Sequence, residues 1–140
     1  MSARPLPRTA VVIVLFVVAA TLVASSASAQ AVPIAPRFPS CIPEKGNSVV
    51  FATLTPETGW ASVRTYFRKT GSRDWYWVEA RNEGRGVYWG VLPRPEDFTK
   101  AVDMQVVARD ADGKETKTPI QKVDVTSSCK PTFKHPQNQR

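Results

Sequence analysis

Trp60-Ala61-Ser62-Val63-Arg64-Thr65-Tyr66-Phe67-Arg68, then Trp75-Tyr76-Trp77-Val78, then Tyr88-Trp89, together hold all four tryptophans and all three tyrosines of the chain. Large aromatic side chains favour pleated strands and bury extensive area. Neighbours along a strand point to opposite faces, so a core accepts only one of each aromatic pair. The other needs solvent, a neighbouring side chain or a ligand.

Working outward, six strand-like runs follow one another at residues 48–54, 61–68, 75–80, 86–92, 101–109 and 116–125. Turn signals separate them: Pro56 and Gly59, Gly71-Ser72, Asn82-Glu83-Gly84, Pro93-Arg94-Pro95, and Asp110-Ala111-Asp112-Gly113. Short strands at this spacing predict an all-β antiparallel sandwich of six to seven strands. Alternation assigns faces. Val102, Met104, Val106 and Ala108 share an inward face. Val63, Thr65 and Phe67 face inward, while Arg64, Tyr66 and Arg68 face outward. Glu79 directs the third run so that Tyr76 and Val78 enter the core and Trp75 and Trp77 stand side by side outside. Tyr88 is the core candidate of the fourth run, and Trp89 is left open.

The run Val63-Arg-Thr-Tyr-Phe-Arg-Lys-Thr-Gly-Ser-Arg-Asp-Trp-Tyr-Trp-Val, with Tyr88-Trp-Gly-Val-Leu-Pro and Val106-Val-Ala-Arg-Asp-Ala-Asp-Gly, resembles immunoglobulin-like and fibronectin type III-like modules of exported bacterial proteins. The resemblance spans residues 48–125. It implies the sandwich architecture and no common active site. The chain departs from cell-surface immunoglobulin domains in that its cysteines flank the patterned region.

Residues 1–29 read as an export signal. Arg4 and Arg8 precede an apolar run from Val11 to Ala20, and Ala27-Ser28-Ala29 forms a cleavage box. The apolar run is shorter than the ~20 residues a spanning helix needs, so no membrane span is expected after cleavage. The mature chain of about 110 residues suits one small domain. Segment 30–47 carries Pro33, Pro36, Pro39 and Pro43 and is expected to be an extended leader without regular structure. The domain is expected over 48–129, and 130–140 is expected to be a polar tail. Cys41 and Cys129 are the two cysteines; in an exported chain they predict a disulfide. An even strand count would bring their two ends of the chain together.

The formal charge of +7 is spread along the sequence, densest at Arg64, Arg68, Lys69 and Arg73. No nucleic-acid partner is expected of an exported module. The only histidine, His135, stands in the tail, and neither a catalytic set nor metal-ligand spacing is visible. No catalytic residue, cofactor or metal is therefore expected. Asp110-Ala-Asp112-Gly113 has two alternating acids but Lys114 where a third belongs, so it reads as a hairpin turn and not a calcium loop. Trp75, Trp77, Tyr66, Arg64 and Arg68 remain as a candidate ligand platform, on which a sugar ring would stack. The competing reading is cross-strand packing, with aromatics covered by arginine stems. The expected role is a non-enzymatic exported module for protein contact or envelope structure, with carbohydrate binding as the alternative.

Overall fold

A computed structural model describes residues 33–130. The expected signal segment, His135 and the tail beyond Lys130 lie outside these residues. All regular elements among the described residues are strands: β1 (Ile34–Arg37), β2 (Ile42–Pro43), β3 (Ser48–Leu54), β4 (Trp60–Lys69), β5 (Tyr76–Glu79), β6 (Arg81–Gly84), β7 (Val87–Leu92), β8 (Ala101–Asp110), β9 (Glu115–Lys117) and β10 (Gln121–Thr126). No helix among the described residues is long and apolar enough to cross a membrane.

Two sheets form. The first has the order β1-β3-β7-β6; the second has the order β2-β10-β8-β4-β5, with β9 paired to β8. One core joins their inner faces. Val50, Leu54, Tyr88 and Leu92 come from the first sheet, and Val63, Met104, Val106 and Val123 from the second. The inward alternation of β8 is as the sequence predicts, and Tyr88 is a core residue. Burying these side chains between two sheets supplies the main stabilisation, at roughly 1.5–3 kcal/mol per large apolar side chain.

Four expectations are corrected. Segment 30–47 is not free of regular structure, because it supplies β1 and β2. Pro36 and Pro43 are tolerated there because both strands lie at sheet edges, where one row of N–H groups has no partner to satisfy. The expected turn at Asn82-Glu83-Gly84 is instead β6: after Ala80 the chain passes from the second sheet to the first, and Arg81 pairs with Trp89. The sixth run is two strands. Pro119 lacks an N–H, and Thr118 turns its hydroxyl to accept from Val106 N at 2.9 Å, so the run breaks between β9 and β10. Finally, Tyr76 lies on the same side of the sheet as Phe67, their ring centroids 6.1 Å apart, yet it is 59% exposed. It sits on the edge strand β5, beyond the cover of the first sheet.

Cys41 and Cys129 are bridged, with Cα atoms 5.7 Å apart. The cause is not strand parity. β2 runs parallel to β10, with Ile42 opposite Val125 and Pro43 opposite Thr126, so the segment that expectation left unstructured carries Cys41 to its partner.

Candidate functional site

The outer face of the second sheet is built by β4, β5 and β8. Antiparallel register sets Tyr66 opposite Trp77, Arg64 opposite Glu79, and Arg68 opposite Asp103. Alternation then places the five residues singled out in the sequence, Trp75, Trp77, Tyr66, Arg64 and Arg68, on this one face. They are together, as the platform reading requires.

They are also already engaged with one another. The Arg64 guanidinium lies 3.9 Å from the centre of the Trp77 ring, and its Nε donates to Glu79 Oε2 at 2.9 Å. The Arg68 guanidinium lies 4.4 Å from the Trp75 ring centre, and its Nε donates to Asp103 Oδ2 at 3.1 Å. The second Asp103 oxygen accepts from the Thr70 hydroxyl at 2.7 Å. Each tryptophan therefore has one ring face under an arginine, and each arginine has its charge met by a carboxylate. Hydrogen bonding to Glu79, and after it to Tyr66, raises the proton affinity of the Arg64 guanidinium above its ordinary value. Cation–π stacking of this kind is worth about 0.5–1 kcal/mol at exposed sites, which favours one side-chain arrangement over the many a free arginine samples. Trp77 remains 49% exposed, and Trp75 is half-buried.

A second row, on the outer face of the first sheet, escaped the sequence reading. Arg37, Phe51, Trp89 and Arg81 are successive cross-strand neighbours over β1, β3, β7 and β6. Arg37 stacks 5.8 Å from the Phe51 ring centre and Arg81 5.5 Å from that of Trp89. This settles Trp89: it points away from the core and is buried all the same. Seeing the row needs the register of β1 and β6, the strands the sequence hid. The remaining tryptophan, Trp60, is tied to the preceding turn, its indole N–H donating to Pro56 O at 2.7 Å.

Asp110-Ala-Asp112-Gly113 is a turn. Asp110 Oδ1 accepts from Asp112 N at 3.0 Å and Lys114 N at 2.9 Å, closing the loop between β8 and β9 on its own backbone. Among the described residues no group of three His, Cys, Asp or Glu side chains is placed to hold a metal ion. The chain matches no protein-family profile and no curated protein sequence.

Proposed function

We propose that the protein is an exported, non-catalytic immunoglobulin-like module that binds a protein partner through the outer face of its second sheet. Three observations support parts of this reading. The two sheets, β1-β3-β7-β6 and β2-β10-β8-β4-β5 with β9 on β8, are compatible with an immunoglobulin-type sandwich that carries additional edge strands. The disulfide is consistent with an oxidising, exported location. The observation that carries the choice of partner is the stacking of Arg64 on Trp77 and Arg68 on Trp75. Each stacked arginine takes up one ring face of its tryptophan, which leaves less open ring for a sugar, and its charge is met by Glu79 or Asp103 and not by an acidic glycan. What is left is a rigid Trp-Tyr-Arg surface, rich in the residue types that dominate protein-binding hot spots.

The test compares the wild type with Trp77→Ala and Arg64→Ala in crosslinked capture from the envelope fraction of the source cells, alongside a panel of cell-wall polysaccharides. The reading expects a specific protein captured by the wild type and lost by both variants, each still folded by circular dichroism. Saturable binding to a polysaccharide that disappears with Trp77→Ala would instead establish the carbohydrate alternative.

A further inference from the structure

The strands of the second sheet outrun those of the first. β4 and β8 each have 10 residues, whereas β7 has 6 and leaves the sheet at Leu92 for Pro93-Arg94-Pro95. The overhang leaves a cavity of about 330 Å³ at this end of the sandwich. That lies at the lower end of the range for small-molecule sites. Its walls are apolar: Ile42, Val102, Phe67 and Tyr76 come from the second sheet and Leu92 from the first. Ser48 pairs with Leu92 at the same end, and its buried hydroxyl has no hydrogen-bond partner among the described residues.

The rim is cationic. Arg68, Lys69 and Arg94 line the cavity against a single acid, Glu96. Two of these charges are already met, Arg68 by Asp103 and Arg94 by Asp97 at 2.8 Å. Lys69 has no ion-pair partner among the described residues. It follows Phe67 on the inward-facing parity of β4 and stands opposite Val102. It is exposed and lines the cavity together with Phe67 and Val102. Ser72 and Thr99 are the remaining polar residues of the lining.

We propose that this cavity binds a small amphipathic carboxylate, its apolar body against Phe67, Tyr76 and Val102 and its anionic end at Lys69. An uncharged apolar molecule leaves the lysine unanswered, and a fully polar anion leaves the aromatic wall in water; a carboxylate on a compact apolar body satisfies both. Of the five outer-face residues the cavity shares Arg68, and the proposal stands whether or not the protein-binding reading holds, since neither the apolar walls nor Lys69 belongs to that face.

The experiment is a nuclear magnetic resonance titration of the disulfide-bonded protein with 4-phenylbutanoate and, in parallel, with its uncharged amide. Saturable shifts are expected at Phe67, Tyr76 and Val102 with the carboxylate, and binding about tenfold weaker for the amide, the worth of one charge-assisted contact. Lys69→Gln is expected to bring the carboxylate down to the level of the amide without altering the thermal unfolding midpoint, since Lys69 is exposed. Equal binding of acid and amide to the wild type overturns the proposal, as does the absence of shifts at those three residues. An unchanged carboxylate affinity in the lysine variant overturns it too.

Discussion

Single residues record where this fold is relaxed and where it is strained. Phe98 is 89% exposed and adopts φ +64°. It stands third in a turn that begins at Glu96, whose carbonyl accepts from Thr99 N at 3.2 Å. Turns with a positive φ at that position ask for glycine or asparagine, because a Cβ crowds the backbone there. The ring gains nothing from burial to offset this. Phe98→Asn is therefore expected to raise stability, by about 1 kcal/mol, read as a higher urea midpoint at unchanged slope. A lower midpoint would mean that the phenyl ring contributes packing that its exposure denies.

The strands themselves show which signals the sequence carries. β3, β7 and β8 were legible because runs rich in β-branched and aromatic residues are bounded by clear turn residues, and β8 alternates as well. β6 was not, since Arg81-Asn82-Glu83-Gly84 has the composition of a turn and is strand only because Trp89 and Tyr88 lie beside it in the first sheet. β1 and β2 were hidden for the related reason that proline reads as a breaker until the strand is known to be an edge. The five platform residues were legible as one outward set, because alternation depends on nothing beyond the strand. Covering by arginine stems is the competing reading in the sequence, but which arginine meets which ring depends on the register between β4 and β5, which the connection through Gly71 leaves open. Where the two sheets meet, Gly90 of β7 faces Val78 of β5 and Thr65 of β4. A Cβ built on it would stand 3.3 Å from a Val78 methyl and 3.7 Å from the Thr65 hydroxyl. Gly90→Val places further methyl groups in that space and is expected to cost about 1–3 kcal/mol, as overpacked cores do. Chemical denaturation measures it, and an unchanged midpoint would show that β5, at the sheet edge, gives way freely.

At the scale of the whole molecule, the hydrophobic core and the disulfide share the work of holding two sheets together. The core is drawn from both sheets, but the cover is uneven: the first sheet leaves Phe67 and Tyr76 facing a cavity. The bridge compensates at the level of the chain. Cys41 and Cys129 are 88 positions apart, so the crosslink encloses nearly all of the described domain in one loop. In the chain-entropy account a loop of this length removes enough unfolded-state freedom to stabilise the fold by ~4–5 kcal/mol. Total stabilities of small domains are about 5–15 kcal/mol. Reduction should therefore lower the urea midpoint by a large fraction without abolishing the strand signal at low denaturant, because β2 is only a two-residue edge strand and the remaining pairings do not depend on it. The double variant Cys41→Ala plus Cys129→Ala should reproduce the reduced protein. The two effects are distinguishable: loss of the bridge alone shifts the midpoint of one cooperative transition, whereas a broad, non-cooperative transition would mean that the bridge also fixes how β2 and β10 close the edge of the second sheet.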